Sequence, residues 1–156
     1  MKTPSNLNPT SSRFFKDGLK FQCQSSGNCC TSRGEYGFVF LTKDDRQRMA
    51  NQLKISPSAF TRKYCEKTKG LWHLKEEKGK PDCMFLSQKK CSIYEARPTQ
   101  CRTWPFWPEV MNAKTWSKEV ASFCPGVGKG KLHSAKDIQT ALDLQSESEK
   151  DLAREM

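Results

Sequence analysis

Residues 83–106 read Cys83-Met-Phe-Leu-Ser-Gln-Lys-Lys-Cys91-Ser-Ile-Tyr-Glu-Ala-Arg-Pro-Thr-Gln-Cys101-Arg-Thr-Trp-Pro-Phe, and the three cysteines in this stretch carry the reading of the fold. Two short extended pieces, 83–86 and 91–94, flank the polar linker 87–90 and predict a hairpin. Between Pro98 and Pro108 three prolines disfavour a long helix. Lys89, Lys90, Arg97 and Arg102 lie close by in sequence. Cations near sulfur favour the thiolate and offset the net negative charge of a tetrathiolate site. The spacing favours a metal without choosing between tetrahedral zinc and an iron-sulfur cluster.

Upstream, Cys23-Gln-Ser-Ser-Gly-Asn-Cys29-Cys30 puts Gly27 and Asn28 just before a vicinal pair, where a tight turn folds thiolates inward and leaves backbone N–H groups to donate to sulfur. Adjacent side chains seldom point the same way, so Cys29 and Cys30 are expected to serve different roles. Cys65 and Cys124 complete the eight cysteines of a 156-residue chain. His73 and His133 do not stand at ligand spacing from a cysteine pair.

Composition agrees with a chain that needs more than burial to fold. Hydrophobic residues make up 35%, charged residues 28%, and mean hydropathy is −0.79, so the apolar supply is thin. The first 22 residues carry no apolar stretch ahead of a cleavage site, and no run approaches the length of a membrane span. The expected setting is therefore a reducing cytoplasm, where clustered cysteines bind metal or react rather than form structural disulfides. Net charge is +10, most of it spread over residues 23–124. Thiolates holding metal would absorb part of that excess, so nucleic acid is a disfavoured partner and no membrane partner is expected.

The segments Phe21 to Cys30, Leu41-Thr42, Cys83 to Leu86, and Cys91 through Cys101 to Phe106, with Cys124-Pro-Gly beyond, closely resemble the YkgJ-like CxxCxxCC family. The resemblance covers about residues 21 to 131. It implies a cysteine-cluster domain that chelates zinc or iron. One departure stands out: Ser26 occupies a position where the family name implies cysteine, and a neutral hydroxyl is a poor substitute for thiolate. Cys65, after a predicted helix, is the reserve thiol. The resulting metal-ligand candidates are Cys23, Cys29, Cys30, Cys83, Cys91, Cys101 and Cys124, with Cys65 last.

Local signals outline the rest. Thr42 reads as a helix N-cap with Asp44 and Asp45 in the first turn, and Ser56-Pro57 opens a second helix carrying Phe60 and Tyr64. The run Glu35 to Leu41 is rich in strand formers, residues 66–81 read as a loop or irregular hairpin, and Gly126 to Lys131 reads as a flexible basic turn rather than a phosphate loop. The expectation is a small irregular α+β domain with short helices and strands organised around cysteine-bound metal. It is divided into a polar arm (1–20), a cysteine-cluster domain (21–134) and a helical tail (135–156). The function expected is metal binding or handling by zinc, iron or an iron-sulfur cluster, because no nucleophile triad, carboxylate pair or nucleotide motif is present. The alternative, implied by related cysteine clusters in flagellin lysine N-methylases, is an iron-sulfur enzyme or redox component.

Overall fold

Thr42 and Asp45 begin the first long element by bonding reciprocally. The Asp45 N–H donates to Thr42 Oγ1 at 3.0 Å, and the Thr42 N–H donates to Asp45 Oδ2 at 3.1 Å. This capping box satisfies two backbone donors that a helix start leaves unpaired. In the computed structural model, which describes residues 14–23, 38–76, 82–122 and 124–156, it opens helix α1 at Lys43–Leu53. A strand of three residues, β1 (Leu19–Phe21), precedes it. Lys54 closes α1 in the left-handed conformation, and Ser56 caps α2 (Pro57–Tyr64) by accepting from the Ala59 N–H. Met49, Ala50 and Phe60 turn inward and are fully buried.

Helix α2 runs directly into β2 (Cys65–Thr68), which pairs antiparallel with β3 (Leu71–Leu74) across Lys69 and Gly70, both at positive φ. That is the backbone a tight hairpin turn demands. The irregular hairpin expected here is thus a regular one. The hairpin expected around Ser87 to Lys90 is present but minimal: β4 (Leu86–Ser87) pairs with β5 (Lys90–Cys91), and Gln88 and Lys89 both take positive φ in the turn. The strand expected over Glu35 to Leu41 is, among the described residues, a single bridge between Phe40 and His73. Residues 35–37 lie outside them.

A 3-10 turn at Tyr94–Ala96 leads into the proline-punctuated stretch, which holds only short helical pieces, as its prolines dictate: helix α3 of five residues (Thr99–Thr103) and a second 3-10 turn at Pro108–Val110. Helix α4 (Ala113–Thr115) passes into a π-helical stretch, Trp116–Ala121. The basic turn expected at Gly126 to Lys131 is instead mostly strand, β6 (Val127–His133), paired antiparallel with β1. Tertiary pairing to Leu19–Phe21 recruits a glycine- and lysine-rich segment whose own propensity is low. The chain closes on α5 (Ala135–Arg154), 20 residues long and capped by Ser134.

Apolar side chains collect in two clusters. The first joins α1, α2 and the β2–β3 and β4–β5 hairpins, with Leu41, Met49, Phe60, Leu74, Phe85 and Ile93 at its centre. The second gathers Phe15, Phe106, Met111, Trp116 and Val120 beneath Ile138 and Leu142 of α5. Together they make a small α+β domain built on two-stranded antiparallel sheets. No helix among the described residues is long and apolar enough to cross a membrane.

Candidate metal centre

Each hairpin or turn delivers its cysteines to a definite place. Cys83 and Cys91 lie on opposite arms of the β4–β5 hairpin, where the Leu86 N–H donates to the Cys83 carbonyl at 2.9 Å and Cys91 pairs with Leu86. Both are half-buried and pack against the first apolar cluster. Cys101 sits in the middle of α3, half-buried, its N–H bonded to the Pro98 carbonyl at 2.9 Å.

The other end of the chain contributes Cys23 and Cys124. The Gln22 N–H donates to the Gly126 carbonyl at 3.1 Å, extending the β1–β6 pairing, so exposed Cys23 and half-buried Cys124 flank the same end of one sheet although a hundred positions separate them. Gly126 is required there, because a Cβ would run into the Gln22 carbonyl. Cys29, Cys30 and the departing Ser26 lie outside the described residues.

Cys65 occupies a different environment. Its side chain is 4% exposed within the first cluster, where burial pushes its thiol up to about 11 against the opposing pull of Arg46 and Lys75. Cys65, Cys83 and Cys91 share that cluster. Yet among the described residues no group of three or more His, Cys, Asp or Glu side chains is gathered closely enough to hold a metal ion. The donor set fits soft-metal chemistry, since thiolate sulfur suits zinc and iron.

Both histidines are occupied. His73 Nδ1 bonds the Leu74 carbonyl at 2.8 Å, Nε2 shares a 2.7 Å hydrogen bond with Thr68 Oγ1, and the ring stacks on Phe38 at 3.7 Å. His133 Nε2 bonds the Phe21 carbonyl at 3.0 Å. These contacts give each ring a structural role in the sheet that it joins.

Positive charge surrounds α3. Arg48 Nη2 donates to Asp45 Oδ1 and to the Arg97 carbonyl, both at 2.7 Å, while Arg97 lies over the Tyr94 ring. Burial, followed by repulsion from Arg48, pulls the Arg102 guanidinium below its ordinary range, with Asp45 opposing. Arg48, Arg97 and Arg102 thus act on one another beside a single carboxylate, Asp45. Sequence reasoning treated Asp45 only as a first-turn carboxylate. Its Oδ1 also accepts the Thr99 N–H and Oγ1–H, and neither that link nor its place in the arginine group has a local signal.

The aromatic run Trp104 to Pro108 faces inward. Pro105 and Phe106 are buried, and Trp104 and Trp107 pack edge to face at 4.7 Å against the second cluster. The run is thus part of the wall of the second apolar cluster.

Comparison with known proteins places these residues in context. The family model CxxCxxCC, described as "Putative zinc- or iron-chelating domain", matches residues 22–125. An uncharacterised protein of Methanocaldococcus jannaschii is 32% identical over 126 residues, covering 76% of this chain. The match spans 65% of that relative's own length. No solved structure matches the chain.

Proposed function

The chain belongs to the CxxCxxCC family, and from that premise we propose that it binds zinc or iron through cysteine sulfur. The observation that carries the reading is the match across residues 22–125, which spans all eight cysteines. The proposed ligands come from Cys23, Cys29, Cys30, Cys83, Cys91, Cys101 and Cys124. A buried thiol pushed up to about 11 resists the thiolate form a metal requires, so Cys65 stands last as a ligand and first as a packing residue. The bound metal would supply a rigid cross-link between the β4–β5 hairpin, α3 and the β1–β6 sheet end.

The domain proper is proposed to begin near residue 21, after a polar arm. The cytoplasm is the proposed setting, because thiolates persist there.

The deciding experiment is metal analysis with visible spectra on material purified anaerobically. One or two equivalents of zinc in a colourless protein, or iron with broad visible absorption, support the reading. Iron with equimolar acid-labile sulfide would identify a cluster. The comparisons lend no support to a methylation-linked role. Protein free of bound metal that takes up neither zinc nor iron overturns the proposal.

A further inference from the structure

Arg48, Arg97 and Arg102 gather around one carboxylate. Asp45 Oδ1 holds Arg48 Nη2 at 2.7 Å and also accepts the Thr99 N–H and hydroxyl. The same Arg48 nitrogen reaches the Arg97 carbonyl at 2.7 Å, which ties α1 to the residue just before Pro98 and α3. Arg102 stands one turn beyond Thr99 on α3 and is exposed. The charges that act on it are Arg48 and Arg97, which repel it, and Asp45, which attracts it.

Three guanidiniums, cationic at any working pH, thus share a single carboxylate, and two positive charges are left over. That carboxylate is fully buried and its Oδ1 is already committed. Among the described residues neither Arg97 nor Arg102 forms an ion pair. Arg97 is held in place by its Nε, which donates to the Tyr94 carbonyl at 2.9 Å, and by the Tyr94 ring 3.8 Å beneath its guanidinium. Arg48 spends only Nη2, and its buried Nε finds no acceptor. Like charges held this close cost free energy that a bound anion recovers. Planar guanidinium forks match the oxygens of phosphate and carboxylate. A carboxylate carries one negative charge, whereas a phosphate monoester carries about −1.5 to −2 near neutral pH, which fits the two unbalanced charges.

We propose that Arg48, Arg97 and Arg102 form a surface site for a phosphate dianion, free or carried as the monoester of a small molecule. Arg97 and Arg102 donate from their uncommitted Nη groups, and Arg48, its side chain 29% exposed, adds its charge from the inner side. Asp45 is the positioning residue that fixes Arg48 and the first turn of α3 relative to each other. The site is independent of the metal-binding reading.

The test is a titration of inorganic phosphate into the full chain, labelled with nitrogen-15, at fixed ionic strength and unchanged metal content, following the backbone amide signals of residues 97–102. These signals should shift saturably. Arg102 makes no side-chain hydrogen bond with a described residue, so Arg102→Gln should keep the fold and weaken binding about tenfold, the loss of one charge-assisted bond. Lys129→Gln, an equal change of charge on β6, should leave binding as it was. Acetate, a monoanion, should bind at least tenfold more weakly than phosphate. Phenyl phosphate separates the two sources: tighter binding than inorganic phosphate assigns the site to an organic phosphate, and equal or weaker binding assigns it to the free ion. Absence of a saturable shift, full-strength binding in Arg102→Gln, equal weakening in Lys129→Gln, or acetate binding as tightly as phosphate each overturns the inference.

Discussion

Asp45 and Thr99 lie 54 positions apart, and Asp45 Oδ1 accepts both the Thr99 N–H at 3.0 Å and the Thr99 Oγ1–H at 2.8 Å. A fully buried carboxylate at the start of α1 thereby holds the first turn of α3, the helix that carries Cys101. Arg48 balances its charge from the next turn of α1. Core and candidate centre are therefore joined by one side chain.

Asp45→Asn should destabilise the fold by about 2 kcal/mol, because it removes the charge-assisted bonds and presents an amide donor to backbone donors. The figure is set below that for a sealed ion pair because Arg48 is partly open to solvent. Denaturant midpoints measure it. A loss of bound metal alongside the loss of stability is also expected, since α3 loses its anchor. A variant as stable as the wild type would show that the Asp45–Thr99 link does not hold α3.

Metal removal tests how far the centre organises the fold. With a small apolar supply, much of the folding free energy is expected from the metal, where structural zinc sites contribute on the order of 10 kcal/mol. A strong chelator under reducing conditions should collapse the circular dichroism spectrum and open the chain to protease. Survival of both signals after complete metal removal would show that the two apolar clusters suffice.

Cysteine substitutions separate ligands from packing. Cys83→Ser, Cys91→Ser and Cys101→Ser should each lower bound metal, while Ser26→Ala should change little. Cys65→Ser should leave metal content intact and cost about 1 to 2 kcal/mol by burying a hydroxyl among apolar side chains. If Cys65→Ser instead loses one equivalent of metal, and Ser26→Cys restores part of it in the double variant, Cys65 supplies the thiol that Ser26 lacks.

Glu149 makes stability depend on pH. Its side chain is buried on α5, and desolvation, followed by repulsion from Glu109, raises its carboxyl above the ordinary range against the opposing hydrogen bond with Gln145. The native state then keeps a proton that the unfolded chain has released, so its stabilisation is full below the ordinary glutamate pKa of about 4.3 and fades as pH rises through the native value. Glu149→Gln should lack this term. The stability of the wild type relative to the variant, at equal metal content, should therefore fall from mildly acid to neutral pH. A constant difference across that range would mean that Glu149 titrates as an exposed carboxylate does.

How far each feature was legible in the sequence depended on its reach along the chain. Thr42 with Asp45, and Ser56 with Pro57, announce α1 and α2 because capping is settled within three or four residues. The prolines between 98 and 108 limit helix length for the same local reason. Residues 135–156 read as a helix-prone tail with a weak apolar face, and the helix occupies Ala135–Arg154 of it. In the structure, Gln145, Ser148 and Glu149 widen the buried face beside Ile138, Leu142 and Leu152, a polar contribution no periodicity of apolar residues reveals.

By itself the sequence determined the local elements, the thiol-rich chemistry and the family, since caps, turns, cysteines and their flanking residues act through near neighbours. Tertiary structure alone decided that Gly126 to Lys131 would largely become a strand, that Cys23 and Cys124 would flank one sheet end, and that Cys65 would sit in apolar core. It also decided which indole of the Trp104–Trp107 pair lacks an acceptor. Each of these turns on contacts between segments remote in sequence, where pairing and burial outweigh local propensity.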